Sequence, residues 1–325
     1  MEENFFEPRA DLSALRHSVE SLKQEIGKVI VGQDQMIELL LAAILAGGHA
    51  LIEGAPGVAK TLTAKLLSRT ISIGFSRIQF TPDLMPSDVI GTVVFNPRDA
   101  SFQFKKGPIF SNIALIDEIN RAPAKTQAAL FEVMEERQAT VDGETYPLSD
   151  PFIVVATQNP IEQEGTYRLP EAQLDRFLFK INVSYPSPEE EFQVLINHHR
   201  SRLSDMIEQI RPVVTAMDIA QLREQASGIH VENKLIDFII AIVSSTRKHK
   251  SIYLGASPRA SIGILNGAKA IAAMRGRDFV TPEDIIYIAL PVLRHRITLS
   301  PEKEMEGASA DDILTQIIKD IEVPR

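Results

Sequence analysis

The octapeptide GAPGVAKT at residues 54–61 combines glycines, a lysine and a hydroxyl residue in nearly the spacing of a phosphate-binding loop. In such a loop, backbone N–H groups surround the phosphates, a lysine neutralises their charge, and a hydroxyl helps to hold Mg²⁺. Gly54 and Gly57 would supply backbone freedom, Lys60 the positive charge and Thr61 the hydroxyl. For this stretch taken alone, an ordinary glycine turn before a core helix is the alternative.

Ala59 stands where the usual loop pattern has its second glycine. A glycine is strongly required at that position only if its φ is positive. We therefore expect a right-handed helical φ at Ala59, which alanine adopts without strain. The neighbouring Ala55, Pro56 and Val58 complete the predicted phosphate-binding segment.

An apolar run at residues 112–116 ends in two adjacent carboxylates, Asp117 and Glu118. Adjacent residues can divide the labour: Asp117 can orient water on Mg²⁺, while Glu118 can polarise the attacking water. A solvated acidic loop is the alternative. The phosphate-loop pattern upstream weighs against it, because parallel sheets gather ligands at the carboxyl ends of their strands.

A third apolar run, at residues 151–156, ends in the amide side chains of Gln158 and Asn159. Asn159 could position the attacking water against the γ-phosphate. Asn-Pro is also an ordinary turn signal, so this segment gains weight only beside the other two.

The elements that must position these residues alternate between strand and helix. A short apolar strand at residues 50–52 precedes the loop and a helix at 62–67 follows it, the order that a phosphate loop requires. Two helices, at 12–29 and 35–46, precede that strand, and the second ends at a Gly-Gly pair. The pattern indicates an α/β fold with a parallel sheet.

After a break at residues 185–188, helical patterns dominate the chain. They cover residues 189–202, 219–227, 233–248, 258–275 and 282–289. We therefore predict two domains: residues 1–186, an α/β core with N-terminal helices and two inserted hairpins, and residues 187–325, a helical domain.

Composition excludes several functional classes. The 34 basic and 43 acidic residues give a net charge of −9, which disfavours a general polyanion binder and makes nucleic acid an unfavoured partner. The absence of cysteine excludes disulfides, thiol catalysis and zinc–thiolate sites. The acidic N-terminal segment and the short apolar stretch at 39–48 predict a cytoplasmic protein without membrane insertion.

Five segments match motifs of AAA+ ATPases, and specifically of the MoxR family. They are GAPGVAKT at 54–61, DEINRAPAKTQ at 117–127, ATQNP at 156–160, LPEAQLDRF at 169–177 and GASPRA at 255–260. The chain thus resembles a MoxR-family AAA+ ATPase over nearly its whole length, and the family form of the loop also has alanine before the lysine. The resemblance implies a P-loop core with a parallel sheet flanked by helices, followed by a smaller all-helical lid domain.

The resemblance also implies roles for single residues. Lys60 and Thr61 match the Walker A motif, Asp117 and Glu118 the Walker B motif, and Asn159 the sensor 1 residue. The implied cofactors are ATP and Mg²⁺, the latter held by Thr61 and Asp117.

Further matches concern contacts beyond the phosphates. Val31 and Gly32 resemble the family's adenine-side contact, although a plain helix N-terminal turn would look similar. Arg259 matches sensor 2 of the same subunit. Arg176 matches the arginine finger that enters a neighbouring subunit's site, and Arg121 and Arg168 are rival candidates for that finger.

Two segments resemble insertions of the AAA+ branch that includes MoxR proteins. Residues 87–108 alternate apolar and polar side chains around Asn96-Pro97-Arg98-Asp99, and residues 139–146 carry an Asp-Gly turn between strand-like runs. In related machines such hairpins project toward a central pore or a substrate. Edge strands that only complete the fold are an equal alternative.

The expected function is ATP hydrolysis in a homo-oligomeric ring, predicted to be a hexamer, that remodels or activates a client protein. The family resemblance suggests chaperone-like maturation, with a von Willebrand factor A domain protein as a possible partner. A nucleotide-gated binding module without turnover and a DNA-linked AAA+ motor are the alternatives. A small-molecule kinase would leave the helical domain and Arg176 unexplained.

Overall fold

The described part of the protein falls into two compact units. The computed structural model describes residues 11–98, 100–159, 167 and 169–324. One unit is Leu22–Ala220, and the other joins residues 11–21 to residues 221–324. Helices that follow residue 186 therefore pack with the first unit, and the domain boundary predicted at residues 186 and 187 stays a prediction.

Helices and strands of both units follow one another along the chain. In chain order, the helices are α1 (Ser13–Gly27), α2 (Asp34–Leu45), α3 (Lys60–Thr70), α4 (Pro86–Ile90), α5 (Ala124–Glu136), α6 (Glu171–Leu174), α7 (Pro188–Arg200), α8 (Leu203–Glu208), α9 (Ala216–Ser227), α10 (Asn233–Lys248), α11 (Pro258–Met274), α12 (Pro282–Leu293), α13 (Pro301–Met305) and α14 (Ala310–Asp320). The strands are β1 (Ala50–Gly54), β2 (Phe75–Gln79), β3 (Gly91–Asn96), β4 (Ser101–Lys106), β5 (Ile113–Asp117), β6 (Gln138–Val141), β7 (Glu144–Pro147), β8 (Ile153–Gln158), β9 (Phe179–Val183), β10 (Ile252–Leu254) and β11 (Thr298–Leu299).

A five-stranded sheet in the order β2-β5-β8-β1-β9 forms the centre of the first unit. Every pairing in it is parallel. The central strand β8 and its neighbour β5 are almost wholly buried, which explains why their sequences are continuous apolar runs. The predicted α/β class with a parallel sheet is confirmed.

The parallel arrangement brings the chemistry-bearing segments to one edge of the sheet. The glycine-bearing loop follows β1, Glu118 follows β5, and Asn159 follows β8. The register also sets Gln79, the last residue of β2, opposite Asp117 in β5. All of these residues lie at the carboxyl ends of neighbouring strands.

Two antiparallel hairpins are inserted into this unit, as the sequence predicts. In the first, β3 pairs with β4 from Gly91 opposite Lys106 onward, and Asp99 of its turn lies outside the described residues. In the second, Asp142 and Gly143 both have positive φ, 50° and 84°, as a type I′ turn requires. The hairpins contact each other where Phe104 stacks on Tyr146 with ring centroids 4.2 Å apart.

The second unit is mainly helical, with one short antiparallel pair, β10 and β11. Its helices bury one face each, for example Leu235, Ile239 and Ile242 of α10. At the start of α12 the fully buried carboxylate of Asp284 accepts hydrogen bonds from Arg275 and Arg277 at 2.6–2.9 Å. Within the described ranges of both units, no helix is long and apolar enough to cross a membrane.

Candidate functional site

The phosphate-loop segment joins β1 to α3 through a tight turn. Gly54 passes so close to β9 that a side-chain Cβ there would lie 2.6 Å from the carbonyl oxygen of Val183. Gly57 has a φ of 85° and open space around it, so glycine is required there for its backbone angle alone. The two glycines therefore serve different purposes: the first permits close approach, and the second permits the turn.

Ala59 adopts a left-handed backbone, with φ 61° and ψ 18°, and the prediction of a right-handed φ is wrong. Positive φ at positions 57 and 59 is typical of loops in which successive backbone N–H groups form an anion-binding nest. This backbone costs the alanine about 1–2 kcal/mol. The carbonyl of Ala59 accepts hydrogen bonds from the N–H and the hydroxyl of Thr63 at 2.9 and 3.0 Å, which helps to hold the strained residue.

Lys60 and Thr61 are the first two residues of α3. The ammonium of Lys60 donates to the carbonyl oxygen of Gly54 at 2.5 Å, so the side chain lies back across the loop. The N-terminus of α3 faces the same loop, and helix N-termini favour anions. A cation, a helix N-terminus and a loop with positive φ are thus combined in one short segment of the chain.

Asp117, at the end of β5, is the buried centre of the site and is 5% exposed. The hydroxyl of Thr61 lies 3.3 and 3.4 Å from its two carboxylate oxygens. The hydroxyl of Thr157 donates to Oδ1 at 3.1 Å, and Nε of Arg77 donates to Oδ2 at 2.6 Å. Three separate strands or helices therefore converge on this single carboxylate.

Glu118 also has a left-handed backbone, with a φ of 57°. Its N–H donates to the hydroxyl oxygen of Thr157 at 3.1 Å, so one threonine fixes both carboxylate residues. Its Oε2 accepts from Gln79 at 2.9 Å and from Arg121 at 2.7 Å. Strained non-glycine residues cluster at functional sites, and in this case the surrounding hydrogen bonds hold the strained residue in place.

A cavity of about 500 Å³ adjoins the loop within the first unit. Val31 lines it together with the loop residues Pro56 and Ala59. From the opposite side come residues of the segment that follows the sheet: Tyr185, Pro186, Glu191, Val194, Asn197, His198, Ser201, Leu203 and Met206. A concave, mainly apolar cavity of this size beside a phosphate loop suits a planar base and its sugar.

Gly32, the other predicted base-side residue, has a φ of 73°. A Cβ on it would lie 2.5 Å from the carboxyl carbon of Glu190. That carboxylate accepts the N–H of Ser187 at 2.7 Å and so caps α7. The residue type at position 32 is therefore fixed by both its backbone angle and the space beside it.

The predicted arginines lie in different surroundings. Arg121 pairs with Glu118 of its own chain. Arg176, just after α6, donates to the carbonyl oxygen of Phe131 at 2.6 Å and pairs with Glu135 at 3.5 Å. Arg259 lies in the first turn of α11, in the second unit, and Arg168 lies outside the described residues.

Three residues of the site were not singled out from the sequence: Arg77, Gln79 and Thr157. Arg77 and Gln79 alternate with the buried Ile78 on β2, so both side chains leave the same face of the strand. The available signal was a polar–apolar–polar alternation before Phe80. It gains meaning only once β2 is known to lie beside β5.

The oxygen atoms of Thr61 and Asp117 suit a divalent cation. Mg²⁺ is bound by oxygen ligands in proteins, and the Thr61 hydroxyl lies beside the Asp117 carboxylate. The guanidinium of Arg77 already lies against Oδ2 as a positive charge. The residues predicted to hold Mg²⁺, Thr61 and Asp117, are therefore close enough to act together.

Comparison with known proteins finds AAA family matches in both units. The family described as "ATPase family associated with various cellular activities (AAA)" matches residues 49–179, and the AAA lid domain matches residues 244–317. Chaperone MoxR1 of Mycobacterium tuberculosis is 44% identical, over 97% of this chain and 84% of that protein. YeaC of Bacillus subtilis is 47% identical, over 93% of each chain.

A solved structure agrees with the fold as well. A crystal structure of a protein from Cytophaga hutchinsonii is 43% identical and superposes with a TM-score of 0.89, covering 97% of each chain. Because it covers 97% of this chain, the match extends into both units. With these relatives and this site, the chain belongs to the MoxR family of AAA+ ATPases.

Proposed function

We propose that this protein hydrolyses ATP in a ring assembly and uses the cycle to remodel or activate a client protein. One observation carries the proposal: the hydroxyls of Thr61 and Thr157 lie 3.1–3.4 Å from the Asp117 carboxylate. Lys60 directly precedes Thr61 in the chain, and Glu118 directly follows Asp117. A phosphate-binding loop alone would suit many ligands. The adjoining pair of carboxylates would supply both an oxygen ligand for a metal and a group able to activate water.

In this proposal, each residue of the loop and sheet edge has one task. Lys60 leaves the Gly54 carbonyl and binds the β- and γ-phosphates, while the nest around Ala59 binds phosphate oxygens through N–H groups. Thr61 and Asp117 would hold Mg²⁺, whose chemical contribution would be to neutralise charge on the phosphoryl group. The cavity beside Val31 binds the adenosine part.

Glu118 acts as the residue that polarises the attacking water, and Asn159 orients that water against the γ-phosphate. The backbone of Glu118 is fixed through Thr157, so its carboxylate projects from a defined point. Preorganisation of this kind lowers the cost of reaching the reactive geometry. Arg259, in the second unit, is proposed as the sensor 2 residue.

Arg176 is proposed as the arginine finger that stabilises the transferred phosphoryl group in a neighbouring subunit. Its side-chain contacts within the described chain go to α5, through Phe131 and Glu135, and not to Asp117 or Glu118. Arg121, by contrast, pairs with Glu118 of its own chain, which favours Arg176 over Arg121 for a role in trans. Assembly then becomes a condition of turnover.

The ring is proposed to be a hexamer whose client is another protein. Chaperone MoxR1 carries the word chaperone in its name, and that name supports a maturation role for this relative of it. A von Willebrand factor A domain protein as partner, and a cytoplasmic location, are further parts of the proposal. The two hairpins are candidate client contacts, since Phe95 and Phe102 on the first are 50% and 75% exposed.

The first experiment separates hydrolysis from nucleotide binding. Glu118→Gln should reduce turnover by at least about 100-fold while ATP affinity stays within a few-fold of wild type. Lys60→Ala should lose binding itself. Unchanged turnover in Glu118→Gln would remove Glu118 from the mechanism, and a wild-type protein that binds ATP but never turns over would support the nucleotide-gated module.

The second experiment tests the finger by mixing two inactive variants. Arg176→Ala keeps Glu118, and Glu118→Gln keeps Arg176, so a mixed ring contains some interfaces with both residues intact. With random assembly, about a quarter of the interfaces would be complete, and turnover should recover to that order. Absence of recovery in rings that demonstrably mix would contradict a finger role for Arg176.

A third measurement addresses the DNA-linked alternative. Turnover of the assembled wild-type protein should be unaffected by duplex or single-stranded DNA at low salt, because the chain is acidic overall. Capture of proteins from a lysate with the ATP-trapped Glu118→Gln form would identify the client. DNA stimulation that disappears at higher salt would favour the motor instead.

A further inference from the structure

Arg77 lies on the edge strand β2 and faces the buried carboxylate of Asp117. Its Nε donates to Oδ2 at 2.6 Å, and the side chains are 55% and 8% exposed, respectively. A buried carboxylate needs a positive partner or several hydrogen-bond donors, because its charge is costly to remove from water. Arg77 supplies that positive charge from the solvent side of the site.

The other described contacts of Asp117 come from neutral groups. Thr61 and Thr157 are hydroxyl residues that lie 3.1–3.4 Å from its oxygens. The ammonium of Lys60 donates to the Gly54 carbonyl. Among the contacts described for the Asp117 carboxylate, the guanidinium is therefore the only full positive charge.

We propose that Arg77 competes with the divalent cation for Asp117, so that metal binding requires Arg77 to leave Oδ2. This inference rests on the proposed function of the site. Arg77 is suited to the role because more than half of its side chain is exposed and can move into solvent without breaking buried packing. Arg77 is thus a positioning residue that sets the metal concentration at which the site becomes complete.

If Arg77 competes with the metal, removing it changes the metal affinity in the direction opposite to the one expected for a purely structural role. Two cations beside one carboxylate repel each other, so removal of the guanidinium should strengthen metal binding. Damage to the fold would instead weaken it. Arg77→Met removes the charge and keeps the aliphatic stem, whereas Arg77→Lys keeps the charge and loses the planar fork.

The test uses the full chain, Mg²⁺ and the non-hydrolysable nucleotide adenosine 5′-(β,γ-imido)triphosphate, with binding followed by calorimetry during a Mg²⁺ titration. In Arg77→Met, half-saturation should occur at a Mg²⁺ concentration lower by about three- to tenfold, the range expected for losing one partly exposed competing charge. Arg77→Lys should stay closer to wild type. Arg98→Met, an exposed arginine on the β3–β4 hairpin, should not shift the titration.

Thermal unfolding without nucleotide gives a second measurement. In EDTA, Arg77→Met should unfold at a lower temperature than wild type, and added Mg²⁺ should raise its Tm more than it raises that of wild type. If Arg77→Met does not fold, Arg77→Gln carries the same expectations in both measurements.

Two outcomes would overturn the inference, and they can be told apart. An unchanged or higher Mg²⁺ midpoint in Arg77→Met, with normal nucleotide binding by wild type, refutes the competition and leaves the proposed function standing. A wild-type protein that fails to bind the nucleotide at any Mg²⁺ concentration refutes both.

Discussion

The side-chain amide of Gln79 donates to Oε2 of Glu118 at 2.9 Å, across the pairing of the edge strand β2 with β5. This contact fixes the direction of the carboxylate proposed to activate water. We expect Gln79→Ala to lower kcat by about tenfold and to leave ATP affinity nearly unchanged, because the carboxylate would sample more rotamers. Steady-state kinetics with a separate binding measurement would check this.

A matched control for Gln79 lies on the same strand. Ser76 contacts Ser111 at the other end of β2, and Ser76→Ala should leave kcat unchanged. Equal losses in the two variants would mean that β2 acts only through the stability of the sheet.

Ala59 provides a prediction about strain. Ala59→Gly should raise the free energy of unfolding by about 0.5–1 kcal/mol. Glycine adopts the observed φ of 61° without the steric cost, and the greater conformational entropy of glycine in the unfolded chain offsets part of that gain. ATP affinity should not fall. Chemical denaturation at equilibrium measures the change.

The comparison variant for Ala59 is Ala64→Gly, in the buried interior of α3. There the same substitution should destabilise by about 1 kcal/mol or more, since glycine weakens a helix interior. Destabilisation of similar size at both positions would show that residue 59 is not left-handed in solution.

Alanine substitutions at Gly32 and Gly307, compared with each other, separate the effect of backbone strain from the effect of crowding. Both have positive φ, 73° and 76°, but a Cβ at Gly32 would strike the carboxylate of Glu190, while nothing lies within 4 Å at Gly307. Gly32→Ala should displace that carboxylate from the cap of α7, which lines the cavity, and lower ATP affinity by about tenfold or more. Gly307→Ala should cost only the backbone strain, about 1–2 kcal/mol, and leave affinity unchanged.

Shortening Glu190 tests the cause of the Gly32 effect. If crowding is responsible, Glu190→Ser should restore part of the lost affinity in the Gly32→Ala background. Identical losses of stability and affinity in the two glycine variants would contradict the role given to Glu190.

The start of α14 gives a prediction about pH. Hydrogen bonds from the hydroxyl and N–H of Ser309 lower the pKa of Asp312 below its ordinary value of 3.8. The folded pKa lies below the unfolded one, so this contribution to stability is complete above about pH 4 and is lost as the pH falls through the folded pKa. Asp312→Asn should therefore be less stable than wild type at pH 7, with the difference shrinking toward pH 3.

Denaturant titrations of wild type and Asp312→Asn at the two pH values would measure that difference. Ser309→Ala should behave in the same way, because it removes the hydroxyl donor. A gap between wild type and variant that is equal at pH 7 and pH 3 would exclude the linkage.

Much of the sheet could be predicted because buried parallel strands have continuous apolar sequences. The predicted runs correspond to β1, β5 and β8, whereas β2 and β9 were not recognised as strands of the sheet. In β2 the apolar pattern is broken by Arg77 and Gln79, whose side chains are polar because they serve the neighbouring carboxylates. The polar residues that contact the site thus interrupt the apolar pattern by which β2 could have been recognised as a strand.

The rest of the site depended on facts that spacing does not contain. The link from Thr157 to both Asp117 and Glu118 requires the strand order, in which β8 lies beside β5. The left-handed φ of Ala59 was missed for a different reason: we assumed that the residue type reports the backbone angle. The path of the loop sets the φ of Ala59, and the alanine adopts that φ despite the steric strain.

The stacking of Phe104 on Tyr146 connects two hairpins that are separated along the chain. Along the chain, the second hairpin is followed by β8, the strand that ends beside Asn159. The first hairpin follows directly after α4. A shift of β8 relative to its neighbours would therefore tilt both hairpins together. A displacement of β8 that accompanied nucleotide binding would then be passed through this ring contact to the hairpin that carries the exposed Phe102.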